Sequence, residues 1–173
     1  MNLSNRDVQL GQGMFTSAAA AAHILGTRGV TADGRVYRYA QAGAVDTVAG
    51  KVYQSAAPIP GHQTCALETT SPVAIGATSV KLTCGSTVAA GFYNDGYAII
   101  ASGAGQGYLY TIDKHAAVST GAVGEFFFYA PEDVLQVAIT VTSTVTLVAN
   151  KYKNILIVPA TTATGLVVGI ATY

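Results

Sequence analysis

Tryptophan is absent from the 173 residues, charged side chains make up only 10% of them, and no apolar run reaches the length of a membrane span. Each shortage excludes something. A bilayer-spanning helix needs about 20 consecutive apolar residues, whereas the longest candidate, 18–25, is short, alanine-dominated and interrupted by His23. The opening "MNLSNRDVQLGQG" places Arg6, Asp7 and several amides where a secretory signal carries its apolar stretch, so the chain is expected to stay in the cytosol where it is made. An ordinary soluble domain has about 25% charged residues. With membrane and fibrous classes set aside, so few charges point to a subunit whose surface is largely covered by neighbours. The 9 basic and 9 acidic residues cancel, and the basic ones are scattered. A nucleic-acid binder shows a basic stripe instead, so nucleic acid is not an expected partner.

Cysteine is scarce too. Cys65 and Cys84 both sit in apolar-alternating stretches, where a free thiol behaves as a small buried hydrophobe. A disulfide between facing strands is the minority alternative, since it requires the right geometry and an oxidising compartment. Neither cysteine is tied to a histidine by a nucleophile motif.

What the sequence has is strands and turns. Residues 1–30 form a polar arm with isolated apolar residues at Leu3, Val8, Leu10, Met14 and Phe15 and no sustained periodicity. Ser17 is a possible cap for a two-turn helix over 18–25, ended by Gly26, although so short a helix is not stable alone in water. From residue 31 to 173 the text reads as one domain of many short antiparallel strands, a compact β-barrel or β-sandwich. Apolar residues at Leu135, Val137, Ile139, Val141, Val145 and Leu147 share one phase, with threonines opposite. One strand through all of them would be over twice the usual length of about 5 to 6 residues, so a hairpin is expected near 142–144. "NDG" at 94–96 and "SGAGQG" at 102–107 specify turns on either side of "YAII".

Candidate chemistry is thin. "GAGQG" has its third glycine one residue early for a dinucleotide fingerprint and is followed by a strand, which makes it a hairpin loop. Asp113 and His115 would share a strand face and can be grouped on paper with Ser119, but no nucleophile elbow presents a serine. Glu132 and Asp133 after Pro131 read as a turn before a strand. The histidines His23, His62 and His115 have no ligand spacing. No catalytic residue, metal or cofactor is expected.

Ten tyrosines with few charges suit contact surfaces, where a ring buries area while its hydroxyl reaches a polar partner. In "RVYRYA" strand alternation sets Arg35, Tyr37 and Tyr39 against Val36, Arg38 and Ala40. Arginine on both faces fits an edge strand or subunit contact. Candidate contact residues are therefore Arg35, Tyr37, Arg38 and Tyr39, with the apolar residues of the arm.

The succession "RVYRYAQAG", "AGKVYQ", "HQ", "AIGATSVKL", "YNDGYAIIASGAGQGYLYTIDKH", "VTLVANKYKNILIVP" and "TGLVVGIA" resembles small proteins encoded beside the major capsid protein in tailed bacteriophages, the capsid decoration or cement proteins. The likeness covers about residues 35 to 171 and brings no catalytic set with it. It implies a virion protein on the capsid exterior, a homo-oligomer, commonly a trimer, and the major capsid protein as partner, with the arm outside the match free to dock on the shell. The competing readings are a head or tail fibre base, a glycan-binding β-module, and a small hydrolase using Asp113, His115 and Glu132.

Overall fold

The computed structural model describes residues 8–9 (backbone only), 17–68 and 73–172. The architecture is all-β, with no helix among the described residues. Twelve strands follow in chain order: β1 (Val8–Gln9), β2 (Arg28–Val30), β3 (Val36–Arg38), β4 (Val52–Gln54), β5 (Cys65–Leu67), β6 (Ser79–Thr83), β7 (Tyr97–Ser102), β8 (Leu109–His115), β9 (Val123–Phe128), β10 (Thr144–Val148), β11 (Leu156–Ile157) and β12 (Val167–Ile170). They fall into two compact units, Pro58–Asn150 and a second made of residues 2–57 with 151–173. The chain thus divides at 57/58 and 150/151, not at the 30/31 boundary expected from composition.

The first unit is a closed six-stranded barrel in the order β10-β5-β6-β9-β8-β7, with every neighbour pair antiparallel. Closure removes free sheet edges. The sequence builds it by alternation: in "SVKLT" Val80 and Leu82 point inward and Lys81 outward, and in "TVTLV" Val145 and Leu147 point inward. These side chains join Ile100, Ile112, Phe126, Leu135 and Ile139 in one core. Each such burial stabilises the fold by about 1.5–3 kcal/mol. The interior is narrow enough that Gly124 is required on β9, since a Cβ there would meet Val118 Cγ2 at 2.4 Å.

The chain does break between Ile139 and Thr144, but not as a hairpin. Ile139 makes an isolated bridge to Val73, Ser143 N–H bonds back to Thr140 O at 2.8 Å, and only β10 continues as a strand. Val141, in phase with the core residues, stands at the turn and is exposed.

The second unit holds two three-stranded sheets, β1-β2-β3 and β11-β4-β12. β1 runs parallel to β2, β3 antiparallel to it, and both β11 and β12 antiparallel to β4. The helix considered over 18–25 does not form. Its backbone donors go elsewhere: Ala22 N–H donates to Tyr39 Oη at 3.1 Å and Gly26 N–H to Tyr39 O at 2.8 Å. Gly26 turns the chain at φ 87°, with Thr27 N–H and Thr27 Oγ1 both donating to Ile24 O. Two turns of helix offer too few bonds to repay nucleation, and the turn anchored on Tyr39 takes the Ala22 and Gly26 donors.

Candidate functional site

The residues grouped as possible catalysts are not assembled into a centre. A β-bulge in β8 between Ile112 and Lys114 breaks the alternation that would put Asp113 and His115 on one face. His115 turns into the barrel, with Nδ1–H donating to Ala116 O at 2.7 Å and Nε2 accepting Tyr93 N–H at 2.9 Å. Both ring nitrogens are thereby occupied by main chain, which leaves none to activate Ser119, an exposed residue. The Glu132 and Asp133 pair also separates. Asp133 Oδ2 accepts Thr111 N–H at 2.7 Å and ties the turn to β8, while Glu132 is exposed. Gly103, Gly105 and Gly107 form the β7–β8 loop with φ values of 78°, 80° and 91°. Among the described residues no group of three histidine, cysteine or acidic side chains is placed to hold a metal ion, and no helix is long and apolar enough to cross a membrane.

The polar groups inside the barrel form a connected string. His62 Nε2 faces the Ser86 carbonyl at 2.8 Å and so carries the proton, which makes Nδ1 the acceptor for Tyr93 Oη–H at 2.6 Å. Tyr93 N–H in turn reaches His115. Each buried donor meets an acceptor, the condition under which polar groups are tolerated in a core. Burial pushes the Tyr93 hydroxyl well above its ordinary range. Cys65 and Cys84 are free and buried beside this string. The neighbouring Cys84 thiol, and then burial, push the Cys65 thiol up; contact with Cys65 lowers that of Cys84.

Many of the tyrosines assigned to contact surfaces from composition work internally. The hydroxyls of Tyr53, Tyr110 and Tyr39 accept backbone N–H groups from Val48, Gln136 and Ala22 at 2.7, 3.2 and 3.1 Å. Tyr129 Oη–H donates to Asp95 Oδ1 at 2.6 Å, and burial, then Asp95, push its hydroxyl upward. Tyr97 and Tyr108 are the ones left with exposed rings on the barrel.

The candidate contact strand, β3, is an edge strand of its sheet. Tyr37 and Tyr39 are half-buried on one face, while Val36 and Arg38 are exposed on the other. Arg35 pairs with Asp33 at 2.8 Å across the turn before β3, and Arg38 Nη1 donates to Gly26 O at 3.0 Å. The Thr31 hydroxyl first, then Arg35, hold the Asp33 carboxyl below its usual range. Tyr39 makes an edge contact with His23, ring centroids 5.5 Å apart. Leu3, Leu10, Met14 and Phe15 lie outside the described residues; the backbone of Val8 pairs with Gly29 of β2.

A second surface was not singled out from sequence. In the β11-β4-β12 sheet, Leu156 and Val167 both lie opposite Gln54, and Ile170 lies opposite Val52. A bulge between Val167 and Gly169 returns Val167 and Ile170 to the same face. Val52, Leu156, Val167 and Ile170 thus share one side of the sheet and expose 41%, 41%, 53% and 65% of their surface. Gln54, on that side too, is buried by the 164–165 loop: it accepts Thr164 N–H and Gly165 N–H and donates to Thr164 Oγ1 at 2.7 Å. The signal was present in "NILIVP" and "LVVGIA", but short apolar strands read equally well as core. No protein-family model, curated protein or solved structure matches the chain.

Proposed function

We propose that the chain is a structural virion protein that decorates a bacteriophage capsid, self-associating as a homo-oligomer and docking on the major capsid protein. The observation that carries the reading is the aliphatic face of the β11-β4-β12 sheet, four large side chains on a chain with only 10% charged residues. Exposed apolar patches of this kind mark association surfaces, and a cyclic oligomer would cover them while repeating a weak capsid contact several times. The residue succession that resembles decoration proteins supports the same reading. So do the exposed Arg35 and Arg38, which stand before and within β3, an edge strand of its sheet. A fibre base would use the same surfaces. The glycan-binding alternative rests on Tyr97 and Tyr108, the tyrosine rings exposed on the barrel among the described residues.

The test is co-sedimentation of the purified chain with empty shells of a major capsid protein from a tailed phage that encodes the chain. Saturable binding at a fixed ratio, with shells that resist a higher temperature, is the expected result. Shells that sediment without the chain at any concentration would overturn the proposal.

A further inference from the structure

Cys65 and Cys84 face each other across the β5–β6 ladder. The register pairs Ala66 with Thr83 and Leu67 with Leu82, so one step further brings the two cysteines opposite. The hydrogen bonds say which kind of pair this is. Glu68 N–H donates to Lys81 O, and bonded and non-bonded pairs alternate along an antiparallel ladder. Counting back, 66/83 is bonded and 65/84 is not. Cys84 agrees: its N–H goes to Ala122 O at 3.2 Å and its C=O accepts Gly121 N–H at 2.8 Å, both on the side away from β5. Non-bonded antiparallel pairs hold their Cα atoms about 4.5 Å apart with side chains close, inside the range of about 4.4–6.8 Å that a disulfide spans. Both side chains point into the barrel and are buried, and the two thiols lie within interaction range of each other.

We propose that Cys65 and Cys84 form a built-in cross-linking site, at which oxidation closes an intramolecular disulfide across β5 and β6 without displacing either strand. The co-reactant is a peroxide, small enough to enter a core that excludes larger oxidants. Cys84, as thiolate, attacks one peroxide oxygen; the O–O bond breaks, an S–O bond forms, and hydroxide leaves and takes up a proton as water. Cys65 sulfur then attacks the Cys84 sulfur. The S–O bond breaks, the S–S bond forms, and the leaving hydroxyl departs as a second water with the Cys65 proton. Two thiols are oxidised by two electrons and one peroxide is reduced to two waters. The site is reduced in a thiol-rich cytosol and closes once the protein meets an oxidising medium. This inference does not rest on the capsid reading.

The experiment exposes the full chain, reduced and in native buffer, to hydrogen peroxide. Thiols are then counted under denaturing conditions after excess peroxide is removed, and intact and peptide masses are measured. The expected product has no free thiol and yields one peptide pair, bridged through Cys65 and Cys84 and lighter by two hydrogens than the two reduced peptides, reversed by dithiothreitol; oxygen on Met1 or Met14 is counted separately. The bridged form melts higher than the reduced form by on the order of 5–10 °C. In Cys65→Ala and Cys84→Ala the remaining cysteine gains oxygen, located by peptide mass, instead of losing hydrogen. Since either variant can disturb the core, the bridged peptide from the unsubstituted chain is the deciding readout. Two surviving thiols, oxygen located by peptide mass on Cys65 or Cys84 of the unsubstituted chain rather than on Met1 or Met14, a bridge between chains, or a bridged form that melts lower than the reduced one would each overturn the proposal.

Discussion

Tyr93 Oη–H donates to His62 Nδ1 and Tyr129 Oη–H to Asp95 Oδ1, both at 2.6 Å. Ten tyrosines read as an interface inventory, yet Tyr39, Tyr53, Tyr93, Tyr110 and Tyr129 spend their hydroxyls on internal partners. Composition cannot separate the two uses, because a ring with a polar tip suits a loop-to-strand tie as well as a docking face. The buried hydroxyls have a consequence in alkali. Tyr93 and Tyr129 hold their protons in the folded state above the unfolded value of about 10, so above that pH the unfolded chain loses protons that the folded one keeps. Stability is then complete below pH 10 and falls as the pH rises beyond it. Denaturant titrations at pH 8 and pH 11 should show a lower midpoint at pH 11, and Tyr129→Phe should reduce the drop. Tyr93→Phe leaves His62 Nδ1 without its donor and should cost about 1–3 kcal/mol at neutral pH, read from urea unfolding. The paired arginines behave differently. Arg35→Ala with Arg38→Ala removes two exposed contacts and should change monomer stability by no more than about 1 kcal/mol, while weakening assembly measured by sedimentation. Early melting with normal assembly would reassign them to the fold.

At the scale of elements, the barrel was the most legible part of the chain. Strands β6 and β10 alternate without exception, and the "NDG" and "SGAGQG" turns fall where their φ-demanding residues are, at Asp95 with φ 61° and at Gly103, Gly105 and Gly107. The glycines differ in what surrounds them. A Cβ at Gly103 would lie 2.8 Å from Ser143 Cα, while at Gly107 it would meet open space. Gly103→Ala should therefore cost about 2–3 kcal/mol and Gly107→Ala about 1 kcal/mol, the second from backbone conformation alone. Thermal unfolding of the two variants decides the comparison. What was not legible depends on partners distant in sequence. The alanine run over 18–25 has strong helix propensity, yet Ala22 N–H donates to Tyr39 Oη instead of to a helical carbonyl. The bulge at Asp113 comes from pairing with β9, which no local pattern announces. The aliphatic face of β11-β4-β12 needed the register of β4 with two strands more than a hundred residues further along the chain, so the sequence showed its strands without showing that they share an uncovered side.

For the whole molecule, the division into units makes the barrel a continuous segment and the second unit a joining of both ends of the chain. A fragment covering 58–150 contains the complete six-strand circuit and its core. It should fold alone, with a single cooperative melt and native-like near-ultraviolet circular dichroism; a fragment without tertiary signal would show that the barrel depends on the rest of the chain. The contact surfaces proposed for assembly lie in the other unit, so the same fragment should stay monomeric at concentrations where the full chain associates.

Self-association through that surface is the central claim, and the most direct measurement is the solution mass by light scattering of the full chain beside Ile170→Glu. A closed oligomer is expected for the full chain, ~53 kDa if it is a trimer of the 17.7 kDa subunit, with a shift toward 17.7 kDa for the variant with its barrel fold intact. A full chain that remains monomeric, or a variant that associates as well as the original, would contradict it.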